Sequence, residues 1–255
     1  MSYEVEHPKP KLNATLRRRG IYILPNLFTT ANMFFGFFAV VQGMNGRFEI
    51  AAIAIFVAMV LDAIDGRVAR LTHTQSEFGA EYDSLADMVS FGVAPALVMY
   101  SWALQVLGKW GWVAAFIYCA GAALRLARFN TQLDVADKRY FTGLPSPSAA
   151  ALMAGLVWTL HDFEVPGRAV SWYAWALTVI AGVTMVSNIR YYSFKDINLR
   201  KSVPFWALLL IVLIWLFISI DPPRVLFFGF VAYTLSGYVM WIVERVRRRK
   251  ATSRS

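Results

Sequence analysis

The sequence predicts an all-α bundle of membrane-spanning helices, and two properties of its composition support this fold class. Hydrophobic residues make up 58% of the 255 residues, against about 45–50% in soluble domains. Charged residues make up only 16%, against about 25% in soluble domains. A soluble protein of this size would not bury so much apolar surface, so lipid must solvate most of the chain. The composition therefore excludes a soluble enzyme, a disordered tail protein and a fibrous repeat.

The apolar runs end at charged segments or at segments that contain Pro or Gly, and these boundaries predict eight helices. A helix needs about twenty apolar residues to span a bilayer, and the fifth run, which starts at Pro145-Ser146-Pro147, is the shortest. The predicted helices cover residues 24–42, 48–71, 79–107, 110–130, 146–160, 169–189, 203–220 and 225–243.

The basic residues predict the orientation of these helices. With the N-terminus in the cytoplasm, all but four of the 25 Lys and Arg residues fall in cytoplasmic segments, as the positive-inside rule requires. Both termini are then cytoplasmic, and we expect a multi-pass membrane protein. The net charge of +9 reflects this topology and attraction to anionic lipid headgroups, so no nucleic-acid partner is needed to explain it. The four outer cations are Arg47, Lys109, Arg168 and Arg224.

The second predicted helix carries carboxylates where a membrane helix should have none. Its uncharged run, Ile50 to Leu61, has only twelve residues, so the span must continue through Asp62 and Asp65. Ionisable residues within or just below a membrane are candidates for function. At about 100° per residue, one arc of the helix carries Asp62, Asp65, Gly66, Ala69 and Arg70.

The third predicted helix begins with a matching acidic face. Gly79, Asp83 and Asp87 recur every four residues and therefore lie along one stripe. The second helix runs inward and the third returns outward, so the two faces should meet at the cytoplasmic end. Four carboxylates close together repel one another, and a cation should neutralise them.

The chemistry of these ligands narrows the choice of cation. Carboxylate oxygens without His or Cys favour Mg²⁺, Mn²⁺ or Ca²⁺. Four carboxylates suit two ions, and paired metal ions recur in enzymes that catalyse displacement at phosphorus. The alternative is a structural one, in which the aspartates form inter-helix salt bridges in a network with Arg67, Arg70 and Glu81.

The acidic motif resembles that of a known enzyme family. Asp62-x2-Asp65-Gly66-x2-Ala69-Arg70-x8-Gly79-x3-Asp83-x3-Asp87 is similar, at all eight positions, to the signature of the CDP-alcohol phosphatidyltransferases. Residues 25–36, 125–130 and 141–147 resemble segments of the bacterial membrane-embedded phosphatidylserine synthases within it, and the last two segments favour serine as the acceptor.

This resemblance implies a reaction. The donor would be CDP-diacylglycerol, the acceptor the hydroxyl of L-serine, and the products phosphatidylserine and CMP, with Mg²⁺ or Mn²⁺ as cofactor and two ions per site. It also implies a homodimer with active sites facing the cytoplasm. The chain would comprise a cytoplasmic arm (1–23), either an interfacial helix or disordered, a six-helix catalytic core (24–190), two additional spans (191–245) and a basic tail (246–255).

The resemblance also implies roles for single residues. Asp62, Asp65 and Asp83 would be metal ligands, and Asp87 a metal ligand or a carboxylate close to the metal that also acts as the general base for the serine hydroxyl. The residues that would bind the nucleotide and the donor are Asn26, Thr29, Gly66, Ala69, Arg70 and Gly79.

Two arginines are candidates for binding the acceptor or a phosphate. Arg125 and Arg128 lie three residues apart on the fourth predicted helix and share a face. A guanidinium pairs bidentately with a carboxylate or a phosphate, so we expect them to bind the serine carboxylate or a donor phosphate. The alternative is that both side chains only extend to lipid headgroups.

Three other functions remain to be distinguished. A relative with the same chemistry would use glycerol 3-phosphate or choline as its acceptor. A cation transporter would use the carboxylates to bind its cargo, but such proteins often show internal repeats and interrupted helices near the midplane, whereas here the acidic cluster lies at one end. A non-catalytic lipid-binding scaffold would not require all four aspartates.

Overall fold

The computed structural model describes residues 12–72, 76–131, 140–193 and 205–252, and this part of the chain is almost entirely helical. Three predicted segments lie partly outside the described residues. They are the arm at 1–23, the seventh predicted helix at its start and the basic tail at its end. The helices are α1 (Leu12–Met44), α2 (Phe48–Thr72), α3 (Glu77–Asp87), α4 (Ala94–Met99), α5 (Lys109–Thr131), α6 (Ser146–Asp162), α7 (Ser171–Val186), α8 (Phe205–Ile220) and α9 (Pro222–Thr252).

The all-α membrane fold class is confirmed. Within the described ranges, five helices are long and apolar enough to cross a membrane: Pro25–Met44, Glu77–Leu107, Lys109–Thr131, Gly167–Val186 and Pro222–Arg247. Large apolar side chains are exposed on their outer faces, where lipid would solvate them. They include Phe34, Phe37, Phe116, Leu124, Trp172, Val183, Phe228 and Val239.

Each of the eight predicted helices corresponds to helical structure, with shifts at the ends. α1 begins at Leu12, twelve residues before the predicted start, and passes through Pro25. α7 ends at Val186, before the predicted end at residue 189, because Ser187 is extended (ψ 164°) and leads into a short strand.

The predicted third helix is a continuous rod, Glu77–Leu107, but it is not a regular α-helix. α3 leads into a π-helical turn, Met88–Val93, and α4 into a second one, Tyr100–Leu104. Pro95 lies in the first turn of α4, directly after the first π-helical turn. Single π-helical turns often accompany functional sites, and here the first one begins directly after Asp87.

A close helix contact joins α5 to α7 through glycines. A Cβ on Gly182 would lie 2.8 Å from the Tyr118 Cα, and a Cβ on Gly121 would lie 2.5 Å from the Gly182 carbonyl oxygen. Small residues allow such backbone contact between membrane helices.

A two-stranded antiparallel ribbon, which the sequence did not predict, ties the start of α6 to the end of α7. β1 (Tyr140–Thr142) pairs with β2 (Arg190–Tyr192), with Phe141 opposite Tyr191. Beyond the ribbon, Gly143 N donates to Ile189 O (2.8 Å) and Leu144 N to Thr184 O (3.1 Å). The ribbon therefore fixes where α6 begins.

We predict that Gly182→Ala destabilises the protein, because the added methyl group meets backbone rather than a flexible side chain. Overpacking of this kind costs about 1–3 kcal/mol, so the Tm in detergent should fall by several degrees. Gly229→Ala is the matched control, since no heavy atom lies within 4 Å of a Cβ at Gly229. Equal Tm values for the two variants would contradict the contact.

Candidate active site

The acidic cluster forms where the C-terminal part of α2 approaches α3. Ligand oxygens of Asp62, Asp83 and Asp87 all lie within 4.8 Å of one another. Asp65 follows one turn after Asp62 on α2 and is buried, with 3% of its surface exposed. Two antiparallel helices thus bring carboxylates together from positions more than twenty residues apart.

These residues fit a divalent cation. The Asp83 Oδ1 atom is buried and has no hydrogen-bond partner, so a carboxylate oxygen in the cluster lacks the compensation that a buried charge needs. Two side-chain ion pairs occur within the described ranges, and Arg224 makes both of them, one with Asp162 and one with Asp221. Salt bridges from Arg67 or Arg70 to the aspartates are therefore not seen there. The all-oxygen ligand set suits Mg²⁺, Mn²⁺ or Ca²⁺.

α1 supplies hydrogen bonds that orient two of the carboxylates. Thr29 Oγ1 donates to Asp65 Oδ2 (2.9 Å), and Asn32 Nδ2 donates to Asp87 Oδ1 (3.2 Å). Asn32 is completely buried, and its backbone carbonyl accepts a hydrogen bond from Ser90 Oγ (3.0 Å) in the π-helical turn. No role was predicted for Asn32, although its spacing of three residues from Thr29 already placed both on one face of α1.

The two glycines of the motif lie beside polar groups. The nearest atom that a Cβ on Gly66 would meet is Arg70 Nη1, at 3.6 Å, so the exposed Arg70 side chain lies alongside Gly66. A Cβ on Gly79 would lie 3.1 Å from Ser76 Oγ and 3.6 Å from Asn26 Oδ1. Ser76 caps α3 by accepting from Gly79 N (3.0 Å).

The residues expected to bind the donor accordingly lie on three adjoining helices. Asn26 and Thr29 are on α1, Gly66, Ala69 and Arg70 on α2, and Gly79 on α3.

The two candidate arginines make different contacts. Arg125 is 9% exposed, and its Nη1 donates to Ser146 Oγ (2.9 Å). Arg128 donates from Nη2 to Asn188 Oδ1 (2.6 Å) and from Nη1 to Val186 O (3.3 Å). Arg125 therefore points to the start of α6, and Arg128 to the chain that follows α7. Ser146 was also missed from sequence, although it lies in the 141–147 segment.

Comparison with known proteins agrees with the motif. Residues 22–183 match the family model described as CDP-alcohol phosphatidyltransferase. A Helicobacter pylori protein named CDP-diacylglycerol–serine O-phosphatidyltransferase is 35% identical over 230 residues, which cover 89% of this chain and 94% of the relative. A Mycobacterium tuberculosis protein of the same name is 36% identical over 181 residues, covering 68% of this chain and 62% of the relative.

We predict that Mn²⁺ raises the Tm of the wild-type protein in the absence of substrates. Binding at 100 times Kd would stabilise the folded state by about 2.7 kcal/mol. Asp83→Asn should abolish this rise, because it removes a ligand of the cluster. Asp162→Asn, at the other end of the bundle, is the control and should retain it. An undiminished Mn²⁺ response in Asp83→Asn would show that the metal binds elsewhere.

Proposed function

The chain belongs to the CDP-alcohol phosphatidyltransferase family, and we propose that it transfers the phosphatidyl group of CDP-diacylglycerol to the hydroxyl of L-serine. The products are phosphatidylserine and CMP. The observation that carries this assignment is the convergence of Asp62, Asp83 and Asp87 within 4.8 Å. The choice of serine is supported by relatives of that name, one of them matched over 94% of its length.

The transfer is a displacement at phosphorus. The serine oxygen forms a bond to the phosphorus that carries the lipid, the bond from this phosphorus to the CMP oxygen breaks, and CMP leaves with the electron pair. The hydroxyl proton passes to Asp87, which acts as the general base. Asn32 holds one oxygen of this carboxylate through a 3.2 Å hydrogen bond and so fixes its orientation.

The aspartates also provide a metal site. Asp62, Asp65, Asp83 and Asp87 would hold Mg²⁺ or Mn²⁺, two ions per site, and the bound ions would neutralise the pyrophosphate and stabilise charge on the leaving phosphate. Thr29 supports this arrangement by its bond to Asp65.

The donor would bind across the inner ends of α1, α2 and α3. Gly66, Ala69 and Gly79 would form a close-fitting surface for the nucleotide, and Asn26 lies beside Gly79. The Arg70 guanidinium, next to Gly66, is placed to bind a phosphate. Arg125 and Arg128 complete the proposed site as ligands for the acceptor or a phosphate.

The membrane topology follows from the substrates and the charges. We propose eight spans, both termini in the cytoplasm, and an active site at the cytoplasmic face of a bacterial inner membrane. The distribution of Lys and Arg supports this orientation, and L-serine is a cytoplasmic metabolite. The division into a six-helix core at 24–190, additional spans at 191–245 and terminal segments at 1–23 and 246–255 remains a prediction, as does the homodimer.

We predict that detergent-purified protein releases CMP from CDP-diacylglycerol only when L-serine and Mg²⁺ or Mn²⁺ are both present. Asp87→Asn should lower kcat by about 10²–10⁴-fold, the usual contribution of a general base, while Asp162→Asn retains activity. CMP release with glycerol 3-phosphate or choline but not with serine would agree with the family and show that serine is not the acceptor. No release with any alcohol would contradict the function and favour a cation transporter.

We also predict that Asn32→Leu lowers kcat by about 10–100-fold, because the general base loses the bond that orients it. The KM values for both substrates should change little. Ser90→Ala is the control: it removes a hydrogen bond to the Asn32 carbonyl but leaves the Asn32 side chain intact. Unchanged kcat in Asn32→Leu would show that the bond to Asp87 has no part in catalysis.

A further inference from the structure

Arg125 is a buried cation that forms no salt bridge in the described part of the chain. Only 9% of its surface is exposed, and its Nε atom is buried without a hydrogen-bond partner. Its described hydrogen bond goes to a neutral hydroxyl, that of Ser146. A buried charge is costly unless an opposite charge compensates it. The missing anion is therefore best supplied by a ligand.

The contacts between α5 and the rod that begins with α3 place Arg125 at the level of Asp87. Near one end of the contact, Tyr118 Oη donates to Phe91 O (3.0 Å), and near the other, Asn130 Nδ2 donates to Ser84 Oγ (3.0 Å). The two helical segments run antiparallel, so Arg125, between the two contacts on α5, faces the region of Asp87.

Ser146 is rigidly held. It is completely buried in the first turn of α6. The chain before it turns at Gly143, whose φ of +79° favours glycine. A Cβ there would also overlap the Met185 carbonyl oxygen. The Ser146 hydroxyl is therefore fixed relative to the end of α7.

The bond from Ser146 determines which edge of the guanidinium is available. Ser146 accepts from Nη1 of Arg125, which lies on the side of the guanidinium away from the Nε–H. The Nε and Nη2 hydrogens form the other edge, whose spacing matches the two oxygens of a carboxylate. Because Nε is buried without a partner, this edge is the part of the guanidinium whose hydrogen bonding is left unsatisfied.

We propose that Arg125 binds the carboxylate of the amino-acid acceptor through this edge, and that Ser146 is the positioning residue that determines the choice of acceptor. The inference rests on the proposed function. In serine, the carboxylate and the hydroxyl are separated by only two carbon atoms. One acceptor molecule therefore reaches Arg125 with its carboxylate while its hydroxyl lies at Asp87.

A donor phosphate is the other anion that a guanidinium would bind. The position of Arg125 favours the acceptor, because it faces the proposed general base from α5. The residues assigned to the donor lie instead on α1, α2 and α3, where Arg70 lies beside Gly66.

The test is the acceptor selectivity of Ser146→Ala, with L-serine and ethanolamine, which lacks the carboxylate, as acceptors or as competing ligands. We expect the KM for L-serine to rise about tenfold, as for a lost hydrogen bond to a charged group, and kcat and the KM for CDP-diacylglycerol to stay within about twofold. The preference for serine over ethanolamine should fall about tenfold. Thr159→Val is the matched control, since it removes another buried hydroxyl of α6, bonded to Pro223 O.

Three outcomes would overturn the proposal. A raised KM for CDP-diacylglycerol with an unchanged KM for serine would assign Arg125 to the donor phosphate. An equal loss of activity with serine and with ethanolamine would show a purely structural role for Ser146. Unchanged selectivity would exclude Ser146 from acceptor choice.

Arg125→Lys provides a second variant if Ser146→Ala does not fold, because it keeps the charge but loses the bidentate edge. It should reduce the serine preference in the same way, and an undiminished preference would contradict the proposal. An intact Mn²⁺-induced rise in Tm shows that the acidic site is folded in either variant. If the wild-type protein used neither acceptor, the result would instead contradict the proposed function itself.

Discussion

Mutual repulsion among the aspartates of α2 and α3 is the constraint on which the rest of the site depends. Asp62, Asp83 and Asp87 bring ligand oxygens within 4.8 Å of one another, and an oxygen of Asp83 is buried without a partner. Such an arrangement is unfavourable unless cations occupy it. Divalent cations would neutralise the pyrophosphate of the donor as well as the aspartates, so the same ions would serve both folding and catalysis.

The neighbouring helices each stabilise one part of this arrangement. α1 donates to Asp65 from Thr29 and to Asp87 from Asn32. A π-helical turn begins directly after Asp87, and its Ser90 bonds back to α1. α5 is held against α7 by the contact between Gly121 and Gly182, and it carries the buried Arg125.

The sequence predicted the helices and the acidic cluster because both depend on local periodicity. Charged and Pro/Gly segments separate the apolar runs, and a spacing of three or four residues places the aspartates on one face of each of two consecutive helices. The contacts of Asn32 with Asp87 and of Arg125 with Ser146 were not predictable, since they join residues 55 and 21 positions apart. The β1–β2 ribbon was missed because its three-residue strands are too short to show a pattern. The π-helical turns leave no signal in hydropathy.

The central claim is that the aspartate cluster is a divalent metal site. Its most direct test is anomalous diffraction from a crystal of the protein grown with Mn²⁺. We expect anomalous density between Asp62, Asp83 and Asp87, with oxygen ligands at about 2.0–2.6 Å, the range of hard-cation sites. A well-ordered site without such density, in which Arg67 or Arg70 forms salt bridges to the aspartates, would contradict it and make the cluster a structural ion-pair network.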